Sequence, residues 1–272
     1  MRPLIDSAVA LCAQLAQRHP RLWKLAWDAI HRLPFLLPHD KSYRALRHFI
    51  ALKPEGLFLD VGANDGISAL SFRRFSKSYR ILSLEPNALL EPALKKLKAS
   101  DPHFDYRMIG AGSVAGRMKF FVPVYRNIVL HTFTSNNQDH ILAAIEKSFG
   151  ASIANDVTIE AFDCDIIPVD SLDINPSVIK IDAEGFDYDV IEGLKTTIGR
   201  SRPFIMIEIS DSQYVQINKY FSDRHYILFT YDIFSDTFSH APAIAPSTKS
   251  ATFSHRNFFA VPEDFAKSIP LK

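Results

Sequence analysis

Five stretches of this chain are mainly apolar in continuous runs instead of alternating regularly with polar residues. They are "LFLDV" (57–61), "RILSLE" (80–85), "YRMIGA" (106–111), "VIKID" (178–182) and "FIMIEI" (204–209). A strand apolar on both faces has to be covered on both, which a parallel sheet flanked by helices provides. The intervening segments carry helical spacing, as in "ISALSFRRFS", "ALLEPALKKLKAS" and "DYDVIEGLKTTI", where Val190, Ile191 and Leu194 share one face. Strand, helix, strand in succession imposes right-handed crossovers. The expectation is an α/β, Rossmann-like fold: a mostly parallel seven-stranded sheet with helices on both faces. Two further runs, "YILFTY" (226–231) and "NFFAVP" (257–262), have no obvious helix between them and read as an antiparallel pair closing one edge.

Two regions depart from this rhythm. Residues 117–177 are too long for one crossover and contain "KFFVPVY", "HTFTSNNQDHILAAIEKSFG" and "VTIEAFDCDIIPVDSL". They are expected to add a strand, a helix and another strand over the carboxyl ends of the sheet, where insertions commonly shape a pocket. Phe120, Phe121, Tyr125 and Phe133 there either stack on a bound acceptor or fill the insertion's own core. Residues 1–50 read as a helical N-terminal cap on an α/β domain of residues 51–272. Leu11 and Leu15, then Leu22, Leu25 and Ala26, suggest two amphipathic helices split near Pro20. Asp6, Gln14 and Gln17 make the first apolar run too short and too polar for a signal peptide or a membrane span. Arg21, Lys24 and Trp27 keep a second reading alongside the cap, a helix pair touching a membrane surface or a partner.

A formal net charge of +1 gives the 272-residue chain no field to recruit nucleic acid. Its two cysteines, Cys12 and Cys164, match no CxxC or metal spacing and read as free thiols of a reducing, cytoplasmic compartment.

The chemistry starts where the first run breaks, in "GLFLDVGANDGISAL" (56–70). A parallel strand ending in a glycine turn before a helix exposes main-chain N–H groups to a ligand. Gly62 and Gly66 remove side chains there. A dinucleotide fingerprint would place glycines where Asn64 and Ile67 stand, which counts against an NAD(P)-dependent oxidoreductase, and no phosphate-loop Lys-Ser/Thr pair follows. Asp60 would repel a pyrophosphate and attract an ammonium. Glu85, at the end of the second run and followed by Pro86, is placed to accept hydrogen bonds from both hydroxyls of a ribose. Gly110 and Ala111, at the end of the third run, would border an adenine. Asp60, Gly62, Asn64, Gly66, Glu85, Pro86, Gly110 and Ala111 together suit S-adenosylmethionine as cofactor.

"FLDVGANDG", "SLEPN", "GAGSVAG", "IKIDAEGFDYDVIEGL" and "IMIEI", in order from about residue 55 to 210, resemble the successive motifs of FkbM-type methyltransferases, and "RNFFAVP" resembles their final strand. The most specific block is Ile179 to Gly185. The resemblance implies a class I methyltransferase fold and S-adenosylmethionine as donor. It also implies O-methylation of a hydroxyl on a sugar, glycan, polyketide or other natural product. Residues 1–50 and 117–177, which would decide the acceptor, carry little of it.

Asp182 closes the fourth run, Glu184 follows two residues later, and Glu208 closes the fifth. Acids converging on one cleft repel, so at least one is expected to titrate high. Methylating a hydroxyl needs the acceptor held in line with the methyl group and a base for its proton. Glu184 or Glu208 fits the base, and Asp182 fits orientation of the donor's amino group or of the acceptor. His131 is an outside candidate for base, and Asp187 and Asp189 read equally well as helix caps. The acids, with His131 or His255, have no spacing that fixes a metal, and none is expected. A methyltransferase-like scaffold without activity, binding a partner through its cap, is the remaining rival. Intact glycines and acids count against it.

Overall fold

The computed structural model of the chain describes residues 40–126, 128–130, 133–242 and 257–272. In chain order its first elements are α1 (Leu46–Leu52), β1 (Leu57–Val61), α2 (Ile67–Arg73), β2 (Arg80–Leu84), α3 (Glu91–Ser100), β3 (Phe104–Arg107) and β4 (Gly110–Ala111). Then follow β5 (Gly116–Tyr125), β6 (Ile128–Val129), α4 (Gln138–Phe149), α5 (Ala151–Asn155) and β7 (Val157–Ile167). The rest are β8 (Val178–Ile181), α6 (Asp187–Glu192), α7 (Lys195–Ser201), β9 (Phe204–Glu208), α8 (Tyr214–Ser222), β10 (Tyr226–Asp232), β11 (Thr237–His240) and β12 (Asn257–Pro262). These residues form two compact units, one of 40–117 with 164–272 and one of 118–163.

The main sheet runs β11-β10-β12-β9-β8-β1-β2-β3. Strands β9, β8, β1, β2 and β3 are parallel to one another, and β12 lies between β9 and β10, antiparallel to both. The sheet has eight strands instead of the expected seven. The addition is β11, an edge strand whose "TFSH" holds a single apolar residue, Phe238, and so lacks the run by which the others are recognised. The β10–β12 pair is antiparallel as expected, but β11 closes the edge. The third run is also split: β3 ends at Arg107, and Gly110–Ala111 pairs with Ile166–Ile167 in a second sheet.

Alternate residues of the apolar runs enter opposite cores. Phe58, Val178, Phe204 and Met206 join Tyr43, Leu46, Phe49 and Phe72 on one face. Leu59, Val61, Ile179, Ile181, Ile205 and Ile207 join Val190, Ile191, Leu194, Ile198 and Phe221 on the other. Phe49 stacks on Phe204 at 4.5 Å between ring centres, and Phe58 on Phe72 at 3.9 Å. Aromatic pairs add about 0.5–1.5 kcal/mol each beyond the area buried. Residues 41–52 are thus part of the domain core. The helices expected around Pro20 lie outside the described residues. Among those described, no helix is long and apolar enough to cross a membrane.

In the smaller unit, β5 lies between β6 and β7. Phe120 stacks on Phe162 at 5.8 Å and Phe133 meets Phe149 edge-on at 5.6 Å. Val122, Ile141 and Ile145 are buried. Phe120 and Phe133 therefore pack within the insertion's own structure, which also holds one strand and one helix more than expected.

Candidate functional site

Strands β8, β1 and β2 are adjacent and parallel, so the turns that follow them emerge at the same end of the sheet. The turn after β1 takes left-handed backbone at Gly62 (φ 78°), Asn64 (φ 53°) and Gly66 (φ 89°). At Gly62 the demand comes from the neighbouring strand end. A Cβ there would stand 1.8 Å from the main-chain oxygen of Asp182. The amides of Gly62 and Ala63 donate to Leu84 O at 3.0 and 3.2 Å, fastening the turn to β2.

Glu85 spans that junction. One carboxylate oxygen accepts from the amide of Asn64 at 2.7 Å and the other from the amide of Asn87 at 2.8 Å. Burial pushes its pKa up to about 7; the two amides and Lys180 act in the opposite direction. Each oxygen retains a lone pair for a further donor.

Asp60 occupies a different place from the one its sequence context suggests. Its carboxylate is wholly buried and accepts from Ser68 Oγ at 2.6 Å and Ser83 Oγ at 2.9 Å. Its cationic neighbour is Lys180, with Nζ 3.7 Å away. Lys180, Asp60 and Ser83 are register partners on β8, β1 and β2, and so form one polar row across three strands. A buried carboxylate is tolerated when a buried cation and hydroxyls compensate it, which accounts for all three residue types. Tyr43 is buried nearby, and burial, then the charges of Asp60 and Asp182, raise its phenol well above its usual value. Lys180, Ser68, Ser83 and Tyr43 had not been singled out in the sequence. The available signal was Lys180 itself, a charge inside an otherwise apolar strand.

The acids after β8 are brought together as expected, but not equivalently. Asp182 is 37% exposed at its side chain and receives Lys180 Nζ at 3.2 Å. Glu184, in left-handed backbone (φ 48°), reaches the surface yet is crowded on its inner side. Loss of surrounding water, then the charges of Asp182, Glu208 and Asp187, push it up to about 7, with Lys180 opposing. Glu208, the last residue of β9, is exposed and belongs to this acidic group.

Asp187 is buried and takes the structural role. It accepts from the amides of Ala183 (2.9 Å) and Gly185 (3.3 Å), fixing the 182–187 turn, and burial raises its pKa. Asp187 does not cap the helix that it begins, and Asp187→Ala should cost about 1–3 kcal/mol because it leaves the amides of Ala183 and Gly185 without their partner. Chemical denaturation of the two proteins checks this, and equal midpoints would refute it. Asp189 instead accepts from the amide and hydroxyl of Ser113, tying α6 to the loop that follows β4. Gly110 sits beside Pro86, since a Cβ on it would stand 3.7 Å from Pro86 Cβ, and Ala111 is half-buried next to it. His131 and His255 lie outside the described residues.

The model of the FkbM methyltransferase domain matches residues 60–228. No curated protein matches the chain significantly. Among solved structures, the methyltransferase FkbM of Methylobacillus flagellatus is similar, with a TM-score of 0.47 and 16% identity over 76% of this chain. The present chain spans 43% of the length of that protein. A methyltransferase of Geobacter sulfurreducens (TM-score 0.41, 10% identity) covers 94% of this chain and 88% of its own. The precorrin-6y C5,15-methyltransferase of Geobacter metallireducens (TM-score 0.40, 10% identity) covers 80% and 83%.

Proposed function

The chain belongs to the FkbM methyltransferase family, and from that premise we propose that it is an S-adenosylmethionine-dependent O-methyltransferase acting on a hydroxyl of a sugar, glycan or other natural product. The observation that carries the reading is Glu85, anchored by the amides of Asn64 and Asn87 beside the Gly62–Gly66 turn, with lone pairs left for a ribose diol. When bound, S-adenosylmethionine supplies a methyl group activated by a sulfonium. The protein's share is to hold and to deprotonate. Glu85 accepts the ribose hydroxyls, and Pro86, Gly110 and Ala111 border the adenine. The half-exposed Asp182 accepts the donor's ammonium, while Asp60 supports the turn from below. Glu184 takes the proton of the acceptor hydroxyl as its oxygen attacks, with Glu208 next to it. The 117–177 insertion and the N-terminal segment select the acceptor, and the two widely spaced cysteines fit a cytoplasmic setting.

The test is calorimetry with S-adenosylhomocysteine and with NADH. The first is expected to bind and the second not. Glu85→Ala should weaken S-adenosylhomocysteine by roughly ten- to a hundredfold, the worth of hydrogen bonds to a charged group. Equal affinity in the variant would remove Glu85 from the ribose.

The raised pKa of Glu85 also sets a pH dependence. Hydroxyl donors prefer the carboxylate, so affinity should fall about tenfold from pH 8 to pH 6, as the group of pKa about 7 protonates. Native stability runs the other way. A carboxyl raised on folding stabilises most below its unfolded pKa, and that contribution is lost as pH rises through about 7. A donor-free protein whose melting temperature did not fall between pH 5 and 7 relative to Glu85→Ala would contradict this assignment.

A further inference from the structure

We propose that Lys180 is a positioning residue for the methyl donor, clamping the Gly62 turn to Asp182 and presenting the outer oxygen of Asp182 to the donor's ammonium. This rests on the donor reading of the site. Lys180 is 5% exposed, and its ammonium donates to Gly62 O at 2.7 Å, with Val61 O at 3.4 Å. It also holds one oxygen of Asp182 at 3.2 Å, and Asp60 lies behind it at 3.7 Å. Gly62 is thereby gripped from two sides, its carbonyl by the ammonium and its Cα by the Asp182 main chain, which leaves no room for a Cβ.

Asp182 is the member of this network that reaches solvent. An ammonium on its inner oxygen fixes the plane of the carboxylate and leaves the outer oxygen facing solvent. Burial alone would lower the Lys180 pKa, but Asp182 and then Asp60 outweigh it and hold the ammonium above its ordinary value. A simpler role would be charge balance, with Lys180 serving only to neutralise the buried Asp60. The two roles separate by experiment. If Lys180 only balances charge, removing both charges restores everything. If it positions, removing both restores the fold but not the donor's amino-acid end.

Three variants, the wild type and two ligands make the test. Lys180→Met keeps the length of the side chain but strands Asp60. The double variant Lys180→Met/Asp60→Asn removes both charges while keeping an oxygen for Ser68 and Ser83. Asp182→Asn changes a half-exposed residue and leaves Lys180 in place. S-adenosylhomocysteine carries the amino-acid end, and adenosine lacks it. The expected result is a double variant that melts near the wild type and binds adenosine normally, but binds S-adenosylhomocysteine at least about tenfold more weakly. Asp182→Asn should show the same selective loss. Wild-type affinity for S-adenosylhomocysteine in either the double variant or Asp182→Asn would overturn the proposal, the latter even if no Lys180 variant folds. A wild-type protein that binds neither ligand would instead overturn the donor reading beneath it.

Discussion

Glu184→Gln is expected to lower turnover by roughly 10²–10⁴-fold, the usual worth of a positioned base, while leaving the affinity for S-adenosylhomocysteine intact. Gln preserves the size and polarity of the side chain but cannot take a proton. Glu184 suits the role because loss of surrounding water, then Asp182, Glu208 and Asp187, hold its carboxyl at about 7, where about half of it is ionised at neutral pH and it is still basic. The base must be ionised to act, so the wild-type rate should rise with pH up to about 7 and then level off. Asp182→Asn removes a negative neighbour and should move that limb to lower pH. A normal rate in Glu184→Gln, or a limb indifferent to Asp182, would pass the role to Glu208.

Gly62→Ala should destabilise the protein by about 2–5 kcal/mol, combining the left-handed penalty for a non-glycine residue with overpacking of a close backbone contact. Two neighbours prevent relaxation. The amide of Asp182 is bonded to Val61 O at 3.2 Å, and Lys180 pins Gly62 O at 2.7 Å. Gly185 supplies the control. Its φ is 96° but nothing lies within 4 Å of a Cβ built on it. Gly185→Ala should then cost only the conformational share, about 1–2 kcal/mol. Urea denaturation of the pair decides the matter. Equal losses would mean that the contact with Asp182 contributes nothing.

Much of the architecture was legible because it is local. Runs such as "VIKI" and "FIMI" feed alternate residues into two separate cores, and that double burial is what continuous apolarity encodes. Strand β11 escaped because one inward Phe238 among polar neighbours makes no run. The third strand was displaced because its apolar stretch is shared between two sheets. At the site, the glycine turn and the grouping of Asp182, Glu184 and Glu208 followed from motif order. The orientation of Asp60 did not. Its sequence context reads as open to a ligand, yet the carboxylate is turned inward, one oxygen accepting from Ser68 and Ser83 and the other facing Lys180 at 3.7 Å.

By itself, then, the amino-acid order determined seven of the eight main-sheet strands and the helices between the parallel ones, that the sheet core is parallel, and which turns carry glycines and acids. Those are properties of periodicity and of single-residue backbone preference, and each is written within a few neighbouring positions. Only the tertiary structure decided which acid is a buried pillar, which reaches solvent and which titrates near neutrality. That partition depends on cross-strand register, which sets Lys180 beside Asp60 and Asp60 beside Ser83, residues far apart in the chain. The charge state of a carboxyl is fixed by the water it loses and the charges it meets, and both are supplied by partners that sequence proximity does not reveal.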